Sequence, residues 1–331
     1  MGDQLPLPKR GESLSVEFAG LEVPRERRWH VRAAWRRWLS SLPFHLLLFF
    51  LTILTTLVVG AHIATNYAHR LPVFDWEMSW PFFKDLLRNP GHMALGLPFS
   101  FTLLGVLLTH ELGHYFTCRF YGIRASYPYF VPAPTLIGTL GAFIRIKSPI
   151  VTRRALFDVG ISGPLVGFLV AIPAITLAIL HSQSAPVPGA FGSITLGNPL
   201  AVVLLTKLLR PGLSPAGIAL HPVGCAAWIG LFITALNLLP AGQLDGGHIL
   251  YAVLGQKHKV VSRGLFLVLL PLGVFCWAGW IVWAGLLLLL GLRHPAVVLP
   301  SEPLGRGRKY LAVVAAMIFA LCFIPTPFAV R

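Results

Sequence analysis

Residues 93–121, MALGLPFSFTLLGVLLTHELGHYFTCRFY, form an apolar run long enough to cross a bilayer as a helix, yet they contain His110, Glu111 and His114. Ionisable groups in hydrocarbon are costly unless they are paired or bound to a metal, so three of them this close together point to a shared task. His110-Glu111-Leu112-Gly113-His114 fits the pattern H-E-x-x-H. On a helix, imidazoles four positions apart project from one face and can grip a single metal ion. Glu111 is angularly adjacent, so it can touch a water at that ion without being a ligand. That is the position of a general base for hydrolysing a peptide bond at zinc.

The rest of the chain agrees with a membrane setting. Hydrophobic residues make up 55% and charged residues 12% of 331 residues, and the mean hydropathy is +0.72. A soluble domain carries about twice that charge. The net charge of +15 does not indicate a nucleic-acid partner. Its Lys and Arg fall mostly in the amino-terminal tail and in short loops between apolar segments, which is how a protein orients itself in a lipid bilayer. Cys118, Cys225, Cys276 and Cys322 stand alone in apolar stretches and read as small buried hydrophobes. Residues 1–43 are read as a basic cytoplasmic tail without a signal peptide, so the first apolar segment is expected to remain in the mature protein.

Working outward, the expected fold is an all-α polytopic membrane protein with about six to seven transmembrane segments and a small membrane-associated β-hairpin region. Residues 44–331 form its single domain. Crossings are expected at about Phe44–Ala64, Met93–Tyr121, Leu156–Leu180, Val223–Leu239 and Tyr310–Ile324. Gly264–Leu292 is long for one helix, and the distribution of loop charge favours its entering and returning as a hairpin. Between the first two crossings lies a polar connection holding Asp75, Glu77, Lys84, Asp85 and Arg88. From Gly122 to Arg154, Pro128, Pro132, Pro134 and Pro149 forbid a continuous helix, while Leu140–Lys147 alternates as a strand does.

Of the twelve Asp and Glu residues, only Glu111, Asp158 and Asp245 lie within or beside apolar segments. A catalytic zinc ordinarily has three protein ligands, and Asp245 is the best candidate to join His110 and His114. It follows a break in a crossing helix, Asn237-Leu-Leu-Pro240-Ala-Gly242-Gln-Leu-Asp245-Gly246-Gly247, and broken backbone at membrane depth survives only where protein or a watery cavity surrounds it. Asp158 is expected to cap its helix or to pair with Arg153 or Arg154 rather than bind metal. His248 beside Asp245 is a weaker ligand candidate. Gly163 and Gly167 form a G-x-x-x-G that would let one helix pack closely on the one bearing His110.

At these residues the chain resembles the site-2 protease family of intramembrane zinc metalloproteases, which pairs H-E-x-x-H with a later Asn-x-x-Pro…Asp-Gly motif. Asn237, Pro240, Asp245 and Gly246 match in identity and order. The resemblance covers about residues 91–255 and is closest to bacterial and plastid members, which share stretches similar to Gly138–Pro149 and Phe157–Pro164. It implies one zinc bound by His110, His114 and Asp245, with Glu111 as general base and Asn237 near the substrate carbonyl or the developing oxyanion. Single-pass transmembrane proteins would be the substrates. A bacterial inner membrane is the expected location, with plastid origin left open, and the site is expected to open toward the basic, cytoplasmic side. Many bacterial members carry a PDZ domain that filters substrates, and none is visible here. Measured from Tyr121 at the surface, the histidines would lie roughly 10–15 Å deep. The competing class is a zinc transporter or sensor without proteolysis. Glu111 argues against it, since transport needs no general base, and no repeated half with a second broken helix is visible.

Overall fold

A computed structural model describes residues 38, 40–74, 76–184, 194–215, 218–291, 297 and 303–330. The expected basic tail lies outside the described residues except for Trp38 and Ser40–Pro43, as do Asp75, Arg293, His294 and Glu302. The helices, in chain order, are α1 Leu42–Ala68, α2 Trp76–Arg88, α3 Leu97–Phe120, α4 Arg153–His181, α5 Leu200–Leu209, α6 Pro222–Asn237, α7 Asp245–Leu254, α8 His258–Phe275, α9 Gly279–Leu290 and α10 Arg306–Cys322. Four continuous or stacked helical stretches are long and apolar enough to cross a membrane: Leu42–Ala68, Pro90–Phe120, Arg153–His181 and Asp245–Phe275. Shorter apolar helices accompany them.

Helix ends follow their local chemistry. Thr152 caps α4 by accepting from the Ala155 N–H at 3.1 Å, and α6 opens with Pro222 behind a His221 cap. α4 packs against α3, α6 and α7, with Phe157, Ile175 and Ile179 fully buried along it and Trp228 and Leu231 buried on α6. Lipid offers no hydrophobic drive between helices, so close packing through small residues has to hold this bundle together.

The hairpin is present. β1 (Tyr129–Pro132) pairs antiparallel with β2 (Thr139–Phe143), Phe130 opposite Ala142, with an irregularity between Phe130 and Pro132. Looser pairing carries it on toward Lys147, whose N–H donates to the Arg124 carbonyl at 2.7 Å. The hairpin leans on α1: Phe130 meets Phe49 edge-on, and Thr55 Oγ1 donates to the Gly138 carbonyl at 2.6 Å. Two more short antiparallel pairs, Gln183–Ser184 with Ile218–Ala219 and Ile194–Leu196 with Phe328–Val330, tie other loops together.

Two connections prove to hold helices, and one expectation, the partner of Asp158, is corrected. The polar connection is largely helical, because α2 places Phe82 on the body of the protein while its charges occupy one flank. Within the connection before the fourth crossing, Leu200–Leu209 is the helix α5. Asp158 neither caps its helix nor pairs with Arg153 or Arg154. Its carboxylate accepts from Arg308 Nε at 2.8 Å and Nη2 at 2.7 Å and from the Tyr121 hydroxyl. Arg153 instead donates to the carbonyls of Ala252 and Val253 at the end of α7. Gly264–Leu292 comprises most of α8 and all of α9. Ser262, in α8, donates to the Pro240 carbonyl, and Gly291, just past α9, abuts Gly242, so the pair leaves this region and returns to it.

Candidate metal centre

The i, i+4 spacing on α3 turns His110 and His114 toward α4 and α7, and both are buried, at 3% and 6% exposure. His114 Nδ1 lies 2.7 Å from the Val159 carbonyl of α4. A carbonyl can only accept, so Nδ1 carries the proton and the Nε2 lone pair is left free for a metal. α4 can come this close because it presents Gly163 and Gly167. A Cβ at 163 would collide with His114 Nε2, and one at 167 would stand 3.1 Å from His110 Nδ1. The G-x-x-x-G thus packs directly on the two histidines.

The broken segment brings Asp245 to the same place as the first residue of α7. The fold-back is tight: a Cβ on Gly246 would stand 2.6 Å from the Leu239 carbonyl, and one on Gly247 would stand 2.6 Å from that of Ala241. Asp245 Oδ2 lies 3.3 Å from His110 Nε2 and 3.2 Å from His114 Nε2, and the two Nε2 atoms are 3.2 Å apart. Ligand atoms set 2.0–2.2 Å from a tetrahedral zinc stand about 3.3–3.6 Å from one another. The three side chains therefore fit zinc in donor type, spacing and burial, and among the described residues they form the His/Cys/Asp/Glu group that could hold a metal ion.

Two further groups border this point. Glu111, 5% exposed, lies near the backbone of Ile144, just beyond β2. Asn237, the last residue of α6, places its Nδ2 3.2 Å from His110 Nε2. Asp158 lies apart in its pair with Arg308, and His248 is not one of the grouped donors; its Cβ side packs on Gly160. The Val159 carbonyl and the Ile144 N–H could not be read from side-chain motifs, because they are backbone groups whose place is set by packing.

A H-E-x-x-H helix completed by a carboxylate from a second, broken helix, within a bundle of membrane-length helices, defines a metallopeptidase-type site in a membrane protein. The chain belongs to Peptidase family M50, whose family model matches residues 98–276, more than half of it. It is similar to "Probable zinc metalloprotease EGY2, chloroplastic" of Arabidopsis thaliana, at 32% identity over 74% of this chain and 45% of that protein. It is also similar to the EGY1 proteins of Arabidopsis thaliana, at 30% over 82% of this chain and 52% of that one, and of Oryza sativa subsp. japonica, at 30% over 85% and 50%. The chain spans about half the length of these curated relatives. They are named as chloroplastic proteins, so they do not support a bacterial setting. No solved structure matches.

Proposed function

We propose that the chain is a zinc-dependent endopeptidase that cuts single-pass transmembrane proteins within the membrane, with one zinc per chain held by His110, His114 and Asp245. The observation that carries this reading is the meeting of two Nε2 atoms and one Oδ2 at tetrahedral spacing beside the buried Glu111. Zinc bound there supplies Lewis acidity, acidifying water and polarising the scissile carbonyl. Glu111 takes the proton of the attacking water and passes it to the departing amide nitrogen. Asn237 offers its amide N–H to the carbonyl oxygen as negative charge gathers on it.

A transmembrane helix hides its carbonyls in hydrogen bonds, so the substrate has to be unwound first. The outer edge of β2 is suited to receive it, since the sheet it forms with β1 is two-stranded among the described residues and an extended segment could add as a third strand. The next residue is Ile144, whose backbone lies near Glu111, so a strand docked on β2 would lie beside the base. We place the entrance on the face that carries the basic loops.

The test uses the full chain reconstituted in vesicles with a single-pass substrate. Glu111→Gln should keep about one zinc per chain and lower cleavage by at least about 100-fold. Full cleavage by that variant, or an active wild type free of metal, would overturn the reading. Zinc uptake into the vesicles that survives Glu111→Gln would favour the transporter instead.

A further inference from the structure

We propose that residues 76–97 form an interfacial anchor lying along the lipid surface, at the membrane face where α1 ends and α3 begins, with Trp80, Phe83 and Leu87 immersed at the acyl boundary. At 100° per residue these three positions fall within an arc of about 60° on α2. They are 67%, 44% and 84% exposed, a stripe that water would disfavour. Phe82, on the opposite side of the helix, is buried with its ring centroid 4.9 Å from that of His62 of α1, and Phe83, at the edge of the stripe, is partly backed by the same imidazole at 6.5 Å. Trp80 and Leu87 therefore point away from the protein body, with Phe83 at the margin.

The flanks differ as an interface requires. Lys84 stands beside the stripe with Nζ 5.3 Å from the centre of the Trp80 ring, a pairing that lets an ammonium stay at headgroup level above a buried aromatic. Arg88 and Asp85 continue round the same flank, farther from the stripe. Asp85 accepts from Asn89 Nδ2 at 2.9 Å and lies 2.6 Å from His92 Nδ1. The Asn89 hydrogen bond first, and then His92, hold its carboxyl below the usual range, which keeps that flank charged and wet.

Lipid is the occupant that chain continuity selects. α1 and α3 are both of membrane length, so the residues between them must sit at one membrane face. The stripe runs on through Leu95, Leu97 and Phe101, which are also exposed, into the lipid-facing side of α3. An amphipathic helix with Trp, Phe and Leu on one face and a snorkelling Lys beside it has the composition of an interfacial segment.

The experiment places a nitroxide label singly at positions 80, 83, 85, 87 and 88 of the full chain, with the four native cysteines replaced, in phosphatidylcholine–phosphatidylglycerol vesicles. Power saturation then compares oxygen with a water-soluble nickel chelate at each position. Labels at 80, 83 and 87 should favour oxygen, and those at 85 and 88 the chelate. Chelate preference at all five would overturn the anchor. So would shielding of 80, 83 and 87 from both relaxants with dipolar broadening between chains, since that would put a second copy on the stripe. Position 87, the most exposed of the three, decides the matter if bulk at 83 disturbs packing.

Discussion

Gly163 and Gly167 touch the two histidines at different depths, and that difference can be measured. A methyl group at 163 has to displace the His114 ring, whereas one at 167 meets His110 at 3.1 Å and asks only for a small shift. We expect Gly163→Ala to weaken zinc binding by about 10–100-fold, the size typical of disturbing a group that orients a ligand, and Gly167→Ala to do so by less. Titration against a competing chelator reads both, and equal, negligible effects would contradict the packing described here. Residues like these mark the limit of what a motif can convey. His110, Glu111 and His114 were legible because their geometry is local, fixed by four positions of one helix. Asp245 was legible because a broken helix in hydrocarbon needs a reason. The partner of Asp158 was not, because Arg308 is 150 residues away and nearer arginines offered a local choice that the fold declines.

At the level of elements, α7 is a ten-residue helix whose first residue is a ligand and whose last turn is held by Arg153. The guanidinium donates to Ala252 O at 2.9 Å and Val253 O at 3.1 Å, satisfying carbonyls that a helix end leaves unpaired. Arg153→Ala should release that end and lower zinc affinity by about tenfold while the other ligands stay in place, and Arg153→Lys should restore part of it. Unchanged affinity in both would remove Arg153 from the positioning of Asp245. The hairpin offers a complementary test. Ile144→Pro removes a backbone N–H near Glu111 and distorts the docking edge, so cleavage should fall by at least about tenfold while metal content holds; retained activity would dismiss the strand from catalysis. The long apolar helices and the proline-rich hairpin could be read ahead because composition and length decide them. α2 and α5 were missed since each is short, and in α2 the stripe of Trp80, Phe83 and Leu87 is masked by charges at neighbouring positions.

The whole molecule has two ends that hydrogen bonds define independently of any membrane. At one, the end of α3, the start of α4, the end of α7 and the start of α10 are joined through Tyr121–Asp158–Arg308 and Arg153–Ala252. At the other, Phe74 bridges Ile194, Ile194–Leu196 pairs with Phe328–Val330, and Tyr67 donates to the His181 carbonyl. Arg119, Arg124, Lys147, Lys257 and Lys259 all belong to chain segments at the first end, which makes it the strongly basic one. Positive loops are retained on one side of a membrane, so both ends of the α8–α9 pair should be on that side and its turn at Cys276–Ala278 should reach toward the other. Single cysteines at Lys259 and Arg306 should therefore react with an impermeant maleimide from the same side of sealed vesicles, and those at Arg88 and Lys207 only from the opposite side. The comparison is internal, so it holds whichever compartment each face meets. Labelling of Lys259 and Lys207 from one common side would break the two-ended arrangement, and with it the route by which we bring water and substrate to Glu111.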